Sequence, residues 1–269
     1  MTYRPRKRFG QHFLAPAWAD KVVAAIAPAP SDRFLEIGPG PGILTSRLAR
    51  RVDSLVAVEI DRDLAADLRG QLPPNVLIVE GDVLKLDLSP FLKEGPLRIA
   101  GNLPYNISSP ILFKLLSTAK ESAHLVDATV MLQKEVADRL VAQPGTKDYG
   151  VLTILTATQA DVTRLLTLPP GAFRPAPKVQ SAVVRLTFKP PVLDPTIAPI
   201  FEGMVKTMFM QRRKTLGNAL RPYAERVGLD AITALTSSDI DPTRRPETLT
   251  QPELVRLAQS LKPKAEPKV

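Results

Sequence analysis

The string Asn102-Leu103-Pro104-Tyr105 closes an apolar run, Leu97–Ala100, and its residue types suit work on an amine. An exocyclic amine on adenine is a poor nucleophile because its lone pair is delocalised into the ring. An Asn side-chain carbonyl and a nearby backbone carbonyl can accept the amine's hydrogens. That draws the nitrogen towards tetrahedral geometry and frees the lone pair for attack. Pro104 has no N–H and a fixed φ, which helps hold a carbonyl in place. Tyr105 can stack on a base face, a contact worth about 1–3 kcal/mol in single-strand recognition. The plainer reading of the string is an Asn-Pro loop turn.

A second constellation lies upstream. Phe34-Leu-Glu-Ile-Gly-Pro-Gly-Pro-Gly42 alternates Gly38, Gly40 and Gly42. Glycines there permit a tight turn and let a ligand approach the backbone. The spacing is GxGxG and not the dinucleotide GxGxxG, which argues against a pyrophosphate on the helix N-terminus. Glu59 follows Gly38 by 21 residues. An acid at that place can accept hydrogen bonds from ribose hydroxyls. Asp82, in Glu80-Gly-Asp-Val83, can accept from an adenine amino group. Either acid alone could be a helix N-cap. Together, in order, they mark one sheet edge.

These residues need strands that end side by side. Short apolar runs at Phe34–Gly38, Leu55–Glu59, Val76–Val79, Leu97–Ala100 and Ala128–Leu132 read as strands. Helical spacing separates several of them, at Ile43–Arg51, Arg62–Gly70 and Ser109–Ser117. Strand and helix in alternation predict parallel βαβ units and an open twisted sheet covered on both faces. Further on, Lys134–Ala142 and Tyr149–Gln159 read as helices. Asp161–Leu168 and Ser181–Phe188 read as an antiparallel pair of strands around the Pro-rich stretch Pro169–Pro177. Beyond Lys189-Pro-Pro191 the pattern is helical only, at Ile197–Arg213, Lys214–Val227 and Pro252–Leu261. The expected division is therefore 1–188 for the sheet domain and 189–269 for a small helical domain. The last residues, KPKAEPKV, read as a basic tail.

Composition bounds the rest. The chain has 269 residues, 36 Lys+Arg, 27 Asp+Glu, 2 His and no Cys. Thiol nucleophiles, disulfides and thiolate metal sites are excluded. His12 and His124 are too few and too far apart for a His-rich metal site, so no metal is expected. No run reaches the roughly 18 apolar residues of a membrane span, and the N-terminus has no apolar signal region, so a cytoplasmic protein is expected. The net charge of +9 is uneven: +4 in residues 1–10, +1 in 11–188 and +4 in 189–269. Basic ends on a near-neutral body fit a polyanion gripped at the ends, or simply solvated tails.

Taken together, the motifs resemble the small-subunit ribosomal RNA adenine dimethyltransferases from about Lys7 to about Leu261. The strings that carry the likeness are Lys7–Leu14, Leu35–Gly40, Glu59–Asp61, Glu80–Asp82, Gly101–Ser108, Met131–Glu135, Phe173–Val179 and Gln211–Leu216. The resemblance implies an α/β class I S-adenosylmethionine-dependent methyltransferase fold, Rossmann-like, with a mostly parallel seven-stranded sheet and a small C-terminal all-helical domain. It implies S-adenosylmethionine as methyl donor and dimethylation of two adjacent adenines near the 3′ end of 16S rRNA. The expected partner is that RNA within the 30S subunit or its precursor, and the expected state is a monomer.

By the same resemblance, His12 and Leu14 border the cofactor, Gly38 and Gly40 pack on its methionine part, Glu59 meets the ribose and Asp82 the adenine. Asn102, Leu103, Pro104 and Tyr105 form the catalytic string, with Asn102 touching cofactor and target base. Phe173 is expected as a second stacking surface opposite Tyr105. The position of His12 is often Asn in the family, and that of Gly217 more often basic. Arg4–Arg8 and Arg212-Arg213-Lys214 are candidate phosphate contacts, although the second group also suits a solvated helix end. Alternative readings are a 23S rRNA adenine methyltransferase of the antibiotic-resistance type, a nicotinamide-dependent dehydrogenase, which the GxGxG spacing disfavours, and a non-catalytic ribosome-assembly factor that binds RNA.

Overall fold

A computed structural model describes residues 11–262. The basic residues Arg4–Arg8 and the tail beyond Lys262 lie outside the described residues. The chain forms two compact units, Met1–Ala137 with Gln159–Pro190, and Asp138–Thr158 with Pro191–Val269. The division expected at 188/189 differs from this partition in one stretch. Asp138–Thr158 precedes the last two strands in sequence but packs with the C-terminal helices.

The first unit is built on a seven-stranded sheet. Its strands are β2 (Arg33–Ile37), β3 (Ser54–Glu59), β4 (Val76–Glu80), β5 (Leu97–Asn102), β6 (Leu125–Gln133), β7 (Ala160–Leu168) and β9 (Ser181–Phe188), in the order β4-β3-β2-β5-β6-β9-β7. The pairs β3·β4, β2·β3, β2·β5 and β5·β6 are parallel. β9 runs antiparallel to both β6 and β7, as the two adjacent C-terminal strands predicted. The four central strands are apolar and largely buried, as a sheet covered on both faces requires. Helices α2 (Thr45–Ala49), α3 (Arg62–Arg69), α4 (Ser89–Lys93) and α5 (Ser108–Glu121) make the crossovers. Asp61 caps α3 by accepting from the Asp63 N–H at 3.1 Å.

Helix α1 (Pro16–Ile26) and a two-residue ribbon of β1 (Phe13–Leu14) with β8 (Phe173–Arg174) were not apparent in the sequence. Pro16 opens α1, where its missing N–H costs nothing. Ala19, Val22, Val23 and Ile26 bury one face. Two arginines satisfy its last carbonyls. Arg98 donates to the Ile26 carbonyl at 3.1 Å, and Arg185 donates to those of Ala25 and Ile26, both at 2.8 Å. Arg98 also pairs with Asp32 at 2.6 Å and with Asp127 at 2.8 Å. The guanidinium groups thus cap a helix end and bind it to β5, β6 and β9. Docking α1 in this way fixes the segment just before it, residues 12–15.

The second unit is helical, with α7 (Val151–Ala157), α8 (Ala198–Met210), α9 (Leu216–Arg226), α10 (Ala231–Ser237) and α11 (Gln251–Ser260), and the end of α6 (Lys134–Leu140). Phe201, Met204, Val205 and Met208 of α8 pack with Leu216, Leu220 and Tyr223 of α9 and with Leu254 and Leu257 of α11. Tyr149 anchors the inserted stretch to this core, its hydroxyl donating to the Leu249 carbonyl at 2.8 Å.

Candidate active site

Strand order reverses between β2 and β5, so the connections leave in opposite directions and open a crevice at their C-terminal ends. A cleft of about 280 Å³ lies there. His12, Leu14, Gly38, Gly40, Glu59, Asp82, Asn102, Leu103, Pro104 and Tyr105 all line it. Residues far apart in the chain meet because each sits at a strand end or on the ribbon that crosses them.

The glycine turn shapes one wall. Gly38 and Gly40 have φ of +68° and +57°, the left-handed region that glycine enters freely. A Cβ on Gly40 would stand 3.1 Å from the Phe13 ring. A side chain at Gly40 would therefore press on the Phe13 ring of β1 and also strain the backbone. Glu59 holds the turn from below, with Oε2 accepting from the Gly40 N–H at 3.0 Å and Oε1 from the Asp61 N–H at 2.9 Å. Burial pushes Glu59 above the ordinary carboxyl range, and the hydrogen bonds from Asp61 and Gly40 pull it back. Asp82 turns its own loop, Oδ1 accepting from the Leu84 N–H at 2.9 Å.

Asn102 has a defined orientation. Its Nδ2 donates to the His12 carbonyl at 2.7 Å. A carbonyl only accepts, so the amide nitrogen must face it and the amide oxygen must face away. The Pro104 carbonyl accepts from the Ile107 N–H at 3.1 Å, and the Leu103 N–H donates to the Met131 carbonyl at 3.0 Å. Tyr105 is held by its hydroxyl, 2.5 Å from Ser181 Oγ. Burial raises the Tyr105 hydroxyl's pKa, and the Ser181 hydrogen bond opposes it. The ring of His12 stacks on Tyr105 with centroids 5.4 Å apart. His12 Nδ1 lies 2.7 Å from the Pro175 carbonyl and so carries the proton of that bond.

Two expected site residues stand elsewhere. Phe173 is 1% exposed and belongs to the core with Leu14, Phe34 and Met131, outside the cleft lining. Its backbone pairs with Leu14, and the alternation along β8 turns its ring inwards while Arg174 is exposed. His12, not Phe173, is the ring found against Tyr105. Arg212 is also committed. It pairs with Glu247 at 2.5 Å and donates to the carbonyls of Lys147 and Thr146 at 2.5 and 3.0 Å. These bonds clamp the inserted stretch of the second unit, so Arg212 is a structural cation there. Arg213 and Lys214 are exposed.

One cleft residue was missed. Glu36 lines the cleft, is 1% exposed, and its Oε2 has no hydrogen-bond partner among the described residues. Burial pushes its carboxyl up to about 8, the neighbouring Thr45 hydroxyl pulls it back, and the Glu59 charge adds a smaller upward push. The available signal was an acid inside the apolar strand Phe34-Leu-Glu-Ile. Among the described residues no group of three or more His, Asp or Glu side chains could hold a metal ion.

The family model described as ribosomal RNA adenine dimethylase matches residues 3–262. The chain belongs to the ribosomal RNA adenine dimethylase family. A ribosomal RNA small subunit methyltransferase A from Acidithiobacillus ferrooxidans is 44% identical over 261 residues, covering 96% of this chain and 94% of that one. Its counterpart from Laribacter hongkongensis is 46% identical over 259 residues, covering 94% and 95%. Among solved structures, a dimethyladenosine transferase from Plasmodium falciparum superimposes with a TM-score of 0.76 at 27% identity, covering 91% of this chain and 96% of that one. The 23S rRNA methyltransferase ErmE gives 0.69 at 28%, covering 93% and 99%. As an adenine dimethylase of ribosomal RNA, the chain needs a base-amine site beside a methyl-donor site. Asn102 lines the cleft at the end of β5. Among the described residues no helix is long and apolar enough to cross a membrane.

Proposed function

We propose that this chain transfers methyl groups from S-adenosylmethionine to the exocyclic amines of two adjacent adenines near the 3′ end of 16S rRNA, acting in the cytoplasm as a monomer on the 30S subunit or its precursor. The observation that carries the reading is the orientation of Asn102. With Nδ2 spent on the His12 carbonyl, Oδ1 is the atom left to accept a hydrogen from an amine.

The cleft fits S-adenosylmethionine. The acids Glu36 and Glu59 suit a ligand that carries positive charge, and Glu36 Oε2 has no hydrogen-bond partner among the described residues. Glu59 keeps a lone pair on each oxygen for ribose hydroxyls, and Asp82 keeps Oδ2 for the adenine amine. Gly38 and Gly40, with His12 and Leu14 above, would border the methionine part. The cofactor supplies an electrophilic methyl on a sulfonium sulfur.

The chain's own residues supply geometry. Asn102 Oδ1 and the Leu103 carbonyl accept the two amine hydrogens, leaving the nitrogen lone pair directed at the methyl. With the donor bound, transfer would form one N–C bond for the one C–S bond broken, and the nitrogen would then release a proton to water. Position and electrostatic alignment do the work, without a strong base. A neutral Asn also spares the site a further acid beside Glu36 and Glu59. Tyr105, locked by Ser181, offers its face to an unstacked base. The domain roles follow: catalysis on the sheet unit, RNA grip by the helical unit and the basic N-terminus, with Arg213 and Lys214 as phosphate contacts.

The likeness to ErmE keeps large-subunit RNA as the second reading. Labelled methyl transfer to immature 30S particles and to naked large-subunit RNA, with mapping of the modified base, separates them. Methyl on 16S adenines that falls steeply with Asn102→Ala is the expected result. Methyl only on large-subunit RNA would refute it.

A further inference from the structure

Lys114 lies on α5, the helix that follows Asn102–Tyr105, yet it reaches the other end of the cleft. Its Nζ donates to the Leu84 carbonyl at 3.1 Å and to the Leu86 carbonyl at 2.5 Å. Those carbonyls belong to the loop after β4, which carries Asp82. The loop is wound by Asp82 itself. The Asp82 carbonyl accepts from the N–H groups of Lys85 and Leu86 at 2.9 and 3.0 Å, and its side chain accepts from Leu84. β4 is an edge strand, so no strand on its outer side steadies the loop that leaves it. Gly81, Asp82, Val83 and Leu84 line the cleft from this loop, and Ile107 and Ile111 line it from the start of α5.

We propose that Lys114 is a positioning residue for the cofactor's base: its ammonium group ties the Asp82 loop to α5 and so sets where Asp82 meets the adenine. The ammonium acts as a carbonyl cap, a task lysine performs at helix ends. A neutral side chain would leave two carbonyls turned towards an apolar stem and let the loop drift. The consequence falls on binding of the base and not on the amine at Asn102, because the methyl end of the cleft is held separately by Glu59, His12 and Met131. Helix α5 therefore links the substrate string at its start to the cofactor's base at Lys114. This inference rests on the assignment of Asp82 to the adenine.

The test is a double-mutant cycle of Lys114→Met and Asp82→Ala, read by calorimetric binding of S-adenosylmethionine and by steady-state methyl transfer. Lys114→Met is expected to weaken binding and raise KM for S-adenosylmethionine about tenfold, the size of a lost hydrogen bond to a charged group, with kcat within about twofold. Lys114→Arg should restore most of the affinity. In the double variant the two losses should not add, since one acts through the other. An unchanged KM in Lys114→Met, a fall confined to kcat, or fully additive losses would overturn the proposal. If Asp82→Ala binds normally, the adenine assignment fails and the proposal falls with it. A loss with Asp82→Ala and none with Lys114→Met overturns the proposal alone. Should Lys114→Met fail to fold, Lys114→Gln and Lys114→Arg carry the same comparison. Equal affinities in wild type, Gln and Arg would refute it.

Discussion

Replacing Glu36 by Gln tests the electrostatics of the cleft. Glu36 is buried, its Oε2 lacks a partner among the described residues, and its carboxyl is pushed up from 4.5 to about 8. An unfolded chain releases this proton above about pH 4.5, whereas the folded chain keeps it until about pH 8. Folding therefore takes up a proton in that window, and stability falls as pH rises through it. Each pH unit removes about 1.4 kcal/mol, so the loss reaches roughly 3 kcal/mol by pH 7 and levels off above pH 8. Gln copies the neutral form and cannot ionise. Glu59, also raised, contributes to both proteins, so their difference isolates Glu36. Denaturant unfolding at pH 5, 7 and 9 should show similar midpoints at pH 5 and a more resistant variant at pH 9. Calorimetry of S-adenosylmethionine in buffers of different ionisation heat should show proton release at pH 7 by wild type only. Stability curves that stay parallel across this range would mean that Glu36 is already ionised in the fold, and the reasoning would be wrong.

Other outcomes follow from the same structure. Asn102→Ala should lower methyl transfer about 10²–10³-fold, the size of one missing preorganised hydrogen bond, while thermal stability holds. Phe173→Ala should cost about 3–5 kcal/mol of unfolding free energy as a cavity, measured by denaturation, instead of acting chiefly on RNA KM as a stacking ring would. Gly101→Ala should destabilise by at least about 1–3 kcal/mol and misplace Asn102, because its Cβ would stand 2.5 Å from the Ile37 carbonyl in the neighbouring strand. Arg213→Ala with Lys214→Ala should weaken RNA binding and flatten its salt dependence by about 0.7–0.9 for each phosphate no longer neutralised, with cofactor affinity unchanged. Arg212→Ala should instead lower stability, since its bonds to Glu247, Thr146 and Lys147 are internal.

Much of the site was legible because parallel strands put their C-terminal ends along one edge. Gly38, Glu59, Asp82 and Asn102 each close or follow an apolar run, so all four fall on one edge, where the sheet orders them Asp82, Glu59, Gly38, Asn102. The burial of Phe173 was not legible for a physical reason: a large aromatic serves a base stack and a core equally well, and the side chosen depends on the β1·β8 pairing. The internal bonds of Arg212 were not legible because its partners lie 35 and 65 residues away. Glu36 was passed over because its one cue, an acid inside an apolar strand, does not say that the carboxyl lines the cleft. Lys134–Ala142 and Tyr149–Gln159 read as helices from their spacing, but spacing carries no information about which core a helix joins.

Composition and motif spacing decide the chemistry available to this chain: no thiols, acids and glycines for a nucleoside, and an Asn beside a Pro and a Tyr for an amine. Local periodicity decides most strands and helices. The packed structure decides what each group is free to do. Hydrogen bonds from distant backbone turn the Asn102 oxygen away from His12 and engage Arg212 and Lys114 in holding loops. Packing of the sheet buries Glu36 and draws Phe173 into the core. Those outcomes depend on contacts between residues far apart in sequence, and such contacts exist only once the strands are in register and the helices are docked.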